Sequence, residues 1–217
     1  MKKLLVVCAL AALLMPVSRA RAGPTNGSFE TGDLTGWSWT VPDGASIDVV
    51  TGHSDPGGNG VTSWGPTDGS YFALLKTDGP GSLTQLYQSY FMTPGYPLMF
   101  DYFWDSRDFK PFDDTASLSV YSGVGTAGPL ILTHAMDSVN ADPQDYWGTS
   151  WETWSLSVAS AGMYTVVFEV RNSLDGIKDS YVGIDNVLLQ VIPAPGAVLL
   201  GGIGVGLVGW LRRRRTL

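Results

Sequence analysis

The chain has few residues of the types on which most enzymes and nucleic-acid-binding proteins depend: one cysteine, two histidines and 13 basic residues among 217. The single cysteine, Cys8, lies in an apolar N-terminal run, so the residues after it can form neither a disulfide nor a Cys-ligated metal site. His53 and His134 are not accompanied by a Gly-x-Ser-x-Gly motif, and we find no nucleophile paired with a base. Core burial must therefore hold the fold together.

Basic residues are especially scarce in the middle of the chain. Only five lie between residues 23 and 190, against all 20 acidic residues, which gives this region a formal charge of −15. Because a phosphate backbone is bound through clustered Lys and Arg, this composition excludes nucleic acid as a partner. Divalent cations suit such a region better, although a solvated, soluble surface explains most of the acids equally well.

The N-terminus has the three parts of a secretory signal peptide. Lys2 and Lys3 precede an apolar run over residues 4–15, and Ala20-Arg21-Ala22 supplies small residues at the cleavage positions. The pattern predicts a signal peptide over residues 1–22 that is removed after Ala22. The alternative is a buried N-terminal helix, which the order of charge, apolar run and small residues does not favour.

The C-terminal tail, residues 191–217, combines an apolar stretch with a basic cluster. Residues 196–211 carry no charged side chain and predict a transmembrane helix, followed by Arg212, Arg213, Arg214 and Arg215. By the positive-inside rule the arginines stay in the cytoplasm and the preceding residues lie across the membrane. Sixteen helical residues span only about 24 Å, less than the hydrocarbon core of about 30 Å, which favours a weak and transient anchor.

Residues 23–190 predict a single all-β domain. Short alternating segments recur between clusters of Gly, Pro, Asp and Asn, a pattern typical of a β-sandwich of about nine strands. The predicted strands are residues 45–51, 71–76, 83–91, 98–104, 116–121, 130–134, 151–158, 164–171 and 181–191. The segments at 151–158 and 164–171 flank a turn at Ala161-Gly162, and we expect them to form a hairpin.

The two ends of this domain carry the first family resemblance. NGSFETGDLTGWSW at 26–39 and YVGIDNVLL at 181–189 resemble the ends of galactose-binding-like jelly rolls, a group that includes many carbohydrate-binding modules. The resemblance implies a jelly-roll sandwich whose first and last strands are neighbours. It also implies a structural calcium held by Glu30 and Asp185. The alternative is that these two carboxylates cap turns or pair with a basic group.

The spacing of apolar residues in the last segment is compatible with that site. Ile184 and Val187 are three residues apart, so if both are buried the alternation slips at Asp185-Asn186, as a β-bulge would cause. Calcium takes six to eight oxygen ligands, and backbone carbonyls of the 25–27 turn would have to supplement the two carboxylates.

The tail carries the second resemblance. Residues 192–217 resemble PEP-CTERM sorting signals, in which a Pro-Glu-Pro box, a Gly/Ala/Leu-rich span and an Arg-rich terminus are recognised by exosortase, a membrane protease. The box here is Pro193-Ala194-Pro195, so Ala194 replaces the usual Glu. The resemblance implies an exported protein, anchored in the inner membrane before processing and then placed on the outer surface or in the extracellular matrix. The alternative is an ordinary C-terminal anchor.

The remaining chemistry is limited to carboxylates and aromatic rings. We interpret the segment DYFWDSRDFKPFDD, residues 101–114, as the end of a strand followed by an exposed loop, with a cation-binding loop or a glycosidase pair as alternatives. Sugars stack on exposed indole and phenol rings, and Trp147 and Trp151 are our candidates for glycan contacts. Trp39, Trp64 and Trp104 are further candidates, whereas Trp37 and Trp154 are assigned to the core.

Three classes of function follow from these patterns. We favour a non-enzymatic protein of the cell surface or extracellular matrix, sorted through its tail and possessing no catalytic residues. The alternative is a glycan-binding module on the cell surface, with an exopolysaccharide as partner. The third class, a glycoside hydrolase, depends only on unpaired carboxylates.

Overall fold

The computed structural model describes residues 23–190 and Gly204. The predicted signal peptide, 1–22, and the tail from residue 191, with Pro193, Ala194, Pro195 and the arginines 212–215, lie outside the described residues apart from Gly204. Within the described part of the chain, no helix has the length and hydropathy needed to cross a bilayer.

The described residues form 14 strands. Their bounds are β1 Ser38–Thr40, β2 Ser46–Val50, β3 His53–Ser54, β4 Asn59–Gly60, β5 Ser63–Trp64, β6 Phe72–Lys76, β7 Leu83–Met92, β8 Leu98–Asp105, β9 Thr115–Ser122, β10 Leu130–Ser138, β11 Trp147–Gly148, β12 Glu152–Leu156, β13 Gly162–Arg171 and β14 Tyr181–Leu189. Each of the nine predicted segments coincides with one of the longer strands. The five short strands β1, β3, β4, β5 and β11 were not predicted.

Two antiparallel sheets face each other as a β-sandwich. The five-stranded sheet has the order β1-β7-β13-β9-β10, and the seven-stranded sheet has the order β2-β6-β14-β8-β11-β4, with β12 also paired to β8. Only the two-residue contact between β11 and β4 is parallel. The prediction of an all-β sandwich is thereby confirmed.

Period-2 alternation builds the core between the sheets. In β8, Leu98, Phe100, Tyr102 and Trp104 are buried on the inner face. In β13, Tyr164, Val166, Phe168 and Val170 meet them from the other sheet, with Phe100 and Phe168 ring centroids 4.9 Å apart. This burial is the main stabilising contribution available to a domain whose described residues include no cysteine.

The predicted hairpin between residues 151–158 and 164–171 is wrong. β12 pairs with β8 in the seven-stranded sheet, whereas β13 pairs with β7 and β9 in the other. The connecting residues cross from one sheet to the other, because both segments have an apolar face and these faces meet across the core. Trp154 and Phe168 both contact Phe100 there.

The outer face of the seven-stranded sheet is covered as well. Residues 51–71 fold over it, and a second apolar cluster forms there from Trp64, Phe72, Leu74 and Phe103. Because of this cover, the residues of β8 that alternate with the core residues, Asp101, Phe103 and Asp105, are also buried. One sheet therefore has two buried faces.

The last strand contains the predicted bulge. Ile184 and Val187 are both buried, and the pairing of β14 with β8 shifts register between Asp185 and Leu188, with Asn186 at φ 52°. The expectation that the first and last strands are neighbours is wrong, because β1 pairs with β7 in the five-stranded sheet, whereas β14 lies between β6 and β8 in the other. The turn before β1 contacts β14 instead, through a hydrogen bond of 3.0 Å from Val187 N to Gly27 O.

Candidate functional site

The acidic segment 101–114 is folded into the protein rather than exposed to water. Asp105, Ser106, Asp108 and Asp114 are each at most 1% exposed, so the interpretation of this stretch as a solvated loop is wrong. The loop is buried because it packs between the start of β11 and the connection from β13 to β14. Tyr146 N donates to Asp108 O at 2.7 Å on one side.

An open cleft of about 470 Å³, the end cleft, lies where β8 ends and β14 begins. It is lined by Asp55, Gly57, Arg107, Tyr146, Ile177, Lys178, Asp179 and Tyr181. Four connections supply these residues, so the cleft exists only in the folded domain. It combines two phenol rings, two cationic side chains and two carboxylates.

Arg107 is the best-anchored side chain of the end cleft. Its Nε donates to Asp105 Oδ2 at 3.0 Å and its Nη2 donates to Ser54 O at 2.6 Å. The guanidinium carbon lies 4.6 Å from the centre of the Tyr181 ring. Asp105 Oδ2 also lies 2.7 Å from His53 Nε2. The buried Asp105 carboxylate is thus shared between an arginine and a histidine, which fixes the arginine in place.

Aromatic packing supports the cleft from below. His53 stacks on Trp64, with ring centroids 5.4 Å apart, and makes a tilted contact with Tyr181, with centroids 4.8 Å apart. Trp64 in turn stacks on Phe103 at 4.5 Å. This cluster fixes the position of Tyr181, because its ring contacts both the His53 imidazole and the Arg107 guanidinium.

Trp147 and Trp151, the predicted glycan contacts, do not line the end cleft. Trp151 is half-buried, packs edge-on against Phe103 at 4.7 Å, and donates its Nε1 hydrogen to Gly65 O at 2.9 Å. Trp147 is half-buried, adjacent to Tyr146, and its ring approaches Gly60 so closely that a Cβ there would lie 3.1 Å away. Both rings contribute to packing, and their role in glycan contact stays a prediction.

The other tryptophans divide clearly by exposure. Trp64 and Trp104 are buried and cannot reach a polysaccharide, so these two candidates are wrong. Trp39 is 53% exposed on the edge strand β1. The assignment of Trp37 to the core is confirmed, and Trp154 packs against the core while its ring stacks on His134 at 4.4 Å.

Glu30 and Asp185, the predicted calcium ligands, contact the same loop, residues 67–71. Glu30 Oε1 accepts hydrogen bonds from Ser70 N at 2.8 Å and Tyr71 N at 3.0 Å. Asp185 Oδ2 accepts from Thr67 N at 2.7 Å and Asp68 N at 3.0 Å. The structure thus brings the two carboxylates to one loop, but amide donors already occupy Oε1 of Glu30 and, with Asn186 N at 2.6 Å from Oδ1, both oxygens of Asp185.

Two buried carboxylates, Asp108 and Asp114, lie behind the end cleft. Burial raises the pKa of Asp114 to about 7; the Ser180 hydroxyl offsets this in part, and the Asp108 carboxylate adds to it. Burial also raises the pKa of Asp108, where Asp175 adds to the shift and Lys178 opposes it. Both shifts have the same physical origin, which is the removal of water from an anionic group.

Asp142 is a third buried acid at this end of the molecule. Burial, reinforced by the nearby Asp137 carboxylate, raises its pKa to about 7, although the Trp104 indole and Lys110 oppose the shift. Trp104 Nε1 donates to Asp142 Oδ2 at 3.2 Å. Across residues 23–190, no group of three or more His, Asp or Glu side chains is arranged to hold a metal ion.

A second cavity, of about 450 Å³, opens at the edge of the five-stranded sheet. It is lined by Gly23, Thr25, Gly36, Gln88, Ser89, Tyr90, Phe91 and Met163. The polar side chains that line it, Thr25, Gln88, Ser89 and Tyr90, are all uncharged, whereas the end cleft combines two aromatic rings with four charged side chains. The end cleft is therefore the stronger candidate site.

The residues of the end cleft were largely missed from the sequence. Arg107 lies in the β8–β9 connection and Tyr181 begins β14, and nothing in the sequence signals that the two are close in space. One signal was present: Asp101, Phe103 and Asp105 share a face of β8, and a large apolar residue between two acids on one face indicates cover on that side. That cover carries His53 and Asp55 to the site.

No family model and no curated protein matches this chain. Among solved structures, the enzymatically active domain of tailspike protein 4 of bacteriophage CBA120 is 15% identical with a TM-score of 0.45, and the match covers 77% of this chain but only 21% of that one. The module TmCBM61, solved with β-1,4-galactotriose, is 18% identical with a TM-score of 0.45 over 77% and 97% of the two chains. The K3 cleaved adhesin domain of Lys-gingipain from Porphyromonas gingivalis is 14% identical with a TM-score of 0.48 over 78% and 99%.

Proposed function

We propose that residues 23–190 form a glycan-binding module and that the end cleft is its binding site. The observation that carries this proposal is the convergence of Tyr146 and Tyr181 with Arg107 and Lys178 in one open cleft of about 470 Å³. That volume lies in the range of small-ligand sites, which combine aromatic surface with a few fixed polar groups. Sugars need this combination, since their C–H faces pack on rings and their hydroxyls take hydrogen bonds.

The polar groups of the cleft suit binding better than hydrolysis. Asp179 Oδ2 lies 2.8 Å from Lys76 Nζ, and Asp55 Oδ2 lies 3.7 Å from Arg107 Nε. A glycosidase needs one carboxyl group that carries a proton to the leaving oxygen. Two carboxylates that are both paired with cations serve better as fixed hydrogen-bond acceptors. We therefore propose a non-enzymatic module.

Cellular placement is part of the same proposal. The signal sequence over 1–22 and the variant sorting tail over 191–217 support export, transient anchoring in the inner membrane, and processing by an exosortase-type protease. A module at the outer surface or in the matrix would then meet the cell's own exopolysaccharide. Mass spectrometry of the mature protein tests this: a C-terminus near Pro195 supports processing, whereas an intact Leu217 supports a permanent anchor.

Structural calcium at Glu30 and Asp185 also stays a proposal. It is supported by the contact of both carboxylates with the 67–71 loop. The argument against it is that hydrogen-bond donors already occupy the carboxylate oxygens. Asp185 Oδ2 faces two amide hydrogens and the Thr67 hydroxyl, and a cation would have to displace these donors. Retention of calcium in a Glu30→Gln variant would argue against this site.

The glycan proposal is tested with the full-length chain, solubilised in detergent, on an array of bacterial exopolysaccharides and β-linked oligosaccharides. We expect retention of at least one glycan, and an at least tenfold weaker dissociation constant for Lys178→Ala, because the exposed Lys178 side chain has no hydrogen-bond or ion-pair role in the described fold.

Arg171→Ala supplies the matched control, because Arg171 is also an exposed cation but lies on β13, away from the end cleft. Its affinity should equal that of the wild type. Equal losses in both variants would indicate a general charge effect, and no retained glycan for the wild type would end the proposal.

A further inference from the structure

We propose that Asp108 and Asp114 together bind a divalent cation, with calcium as the ion best suited to oxygen ligands, behind the end cleft. This site is distinct from the one predicted at Glu30 and Asp185. It does not depend on glycan binding, because it concerns the stability of the loops that form the cleft.

The main observation is that both side chains are fully buried and incompletely partnered. Asp108 and Asp114 are each 0% exposed. Asp108 Oδ2 and Asp114 Oδ1 have no hydrogen-bond partner among the described residues, and they are the only buried carboxylate oxygens there in that condition. A buried carboxylate oxygen without a donor costs several kcal/mol, so a folded protein normally supplies a counter-charge or a donor.

The described residues do not supply that counter-charge. Neither aspartate forms an ion pair with a described basic side chain. Lys178 opposes the rise in the pKa of Asp108 without pairing with it. Its Nζ lies 5.7 Å from the centre of the Tyr146 ring. Arg107 is committed to Asp105 and to Ser54 O. The acids Asp145 and Asp175 add further negative charge near Asp108.

The other oxygen of each carboxylate already contacts a hydrogen-bond donor. Phe109 N donates to Asp108 Oδ1 at 2.7 Å, and the Thr77 hydroxyl lies 3.5 Å from Asp114 Oδ2. The two carboxylates also influence each other electrostatically. Two neighbouring carboxylates, each held by one oxygen, leave their second oxygens for a hard cation.

The site would connect two loops that form the end cleft. Asp108 lies in the β8–β9 connection. Its backbone carbonyl accepts a hydrogen bond from the backbone N–H of Tyr146, which lines the end cleft. Asp114 lies beside Ser173 and Ser180 of the β13–β14 connection, which supplies Lys178. A cation here would therefore hold both walls of the cleft in place.

Two protein carboxylates make a weak site whose remaining ligands are backbone carbonyls and water. Calcium sites of extracellular modules have dissociation constants of about 10⁻⁴ to 10⁻³ M, and we expect this range. At 5 mM calcium, such an affinity corresponds to a rise in melting temperature of about 4 °C for a domain of this size.

The test uses the full-length chain in detergent, stripped with EDTA and dialysed, with CaCl₂ as the probe. Calorimetric titration and thermal melting are compared for the wild type, Asp114→Asn and Asp108→Asn. We expect calcium to raise the melting temperature of the wild type and not of either variant, while calcium-free melts and circular dichroism show that both variants fold. Tb³⁺ should show luminescence sensitised by the aromatic residues of the wild type and at least fivefold less in Asp114→Asn.

Two controls separate this site from other acids. Asp48→Asn removes an exposed carboxylate on β2 and should keep the full calcium response. Glu30→Gln should keep it as well; loss there with retention in Asp114→Asn would place calcium at the predicted site and overturn the proposal. A wild type with no calcium response would overturn it too; a rise in stability as the pH falls from 8 to 6 that Asp114→Asn abolishes would then indicate a shared proton in place of the cation.

Discussion

Two pairs of buried aspartates in this domain have similar burial and opposite surroundings. Asp101 and Asp185 lie opposite each other on β8 and β14, and Asp108 and Asp114 lie in the next connection. In the first pair, both oxygens of each carboxylate accept hydrogen bonds, from Thr67, Asp68, Thr153 and Asn186. In the second pair, two oxygens accept none from the described residues.

The difference teaches that burial alone does not mark a binding site. The first pair holds the cover in place on the seven-stranded sheet, because Thr67 N and Asp68 N of loop 67–71 donate hydrogen bonds to Asp185. Such a carboxylate serves as a structural acceptor. In the second pair two oxygens lack such donors, and the cation that we propose would take their place. Four changes test this contrast.

Asp185→Ala should give the largest effect. It leaves Thr67 N, Asp68 N and Asn186 N without their acceptor, a carboxylate that is 0% exposed. Each unsatisfied buried donor costs about 1 to 3 kcal/mol, and we expect the free energy of unfolding to fall by about 4 kcal/mol. Urea denaturation followed by tryptophan fluorescence measures it.

The exposed Asp48 on β2 provides the comparison for that variant. Asp48→Ala should change stability by less than about 0.5 kcal/mol, as surface substitutions usually do. If Asp185→Ala were equally mild, water would have to reach the 67–71 loop and the first pair would not hold the cover in place.

Asp142→Asn should reveal the cost of a buried acid at the cleft end. Burial and Asp137 raise its folded pKa to about 7, above the ordinary value of 3.8, whereas Lys110 and the Trp104 indole oppose the shift. The native state thus binds more protons than the unfolded state between pH 4 and 7, and the stability contributed by Asp142 is lost as the pH rises through that range. The amide keeps the Trp104 hydrogen bond without this loss.

The expected result is a variant about 2 kcal/mol more stable than the wild type at pH 8 and equal to it at pH 4. Chemical denaturation at both pH values, in EDTA, is the measurement. Equal stability at pH 8 would mean that Asp142 is ionised without penalty and that water reaches it.

Strands and loops differed in how far the sequence could predict them. The nine longer strands followed from alternation, because side chains of a strand face opposite sides in a fixed period of two. The bulge at Asp185-Asn186 followed from the spacing of Ile184 and Val187. The hairpin failed because alternation reveals which face is apolar, and does not reveal which strand lies beside it.

The two carboxylate pairs could not be separated in the same way. The segment DYFWDSRDFKPFDD contains members of both pairs, and its composition is typical of a solvated loop. Burial of that loop depends on contacts with residues 139–148 and 172–180, which are distant in sequence. Only the folded arrangement shows that Asp101 meets Thr67 and Thr153 whereas Asp108 and Asp114 keep two oxygens free.

Gly69→Ala tests how tightly loop 67–71 is held against its acceptors. Gly69 has φ +68°, and a Cβ there would lie 2.2 Å from the Glu30 carboxyl carbon, so Glu30 must move away. We expect a loss of about 2 kcal/mol, half from the strained backbone and half from the Glu30 hydrogen bonds. Gly95→Ala is the control, because Gly95 has φ +81° with no atom near its Cβ position. It should cost only about 1 kcal/mol, and an equal cost in both variants would show that Glu30 is not engaged with the loop.

Glu30→Ala should give the smallest effect and completes the comparison. Glu30 is exposed, so water replaces the carboxylate at Ser70 N and Tyr71 N, and we expect a loss of about 0.5 to 1 kcal/mol. Because Gly69→Ala already displaces this side chain, the double variant should be no less stable than Gly69→Ala alone. Full additivity in denaturation experiments would instead mean that the two residues act independently, and that the 67–71 loop is held through Asp185 without help from Glu30.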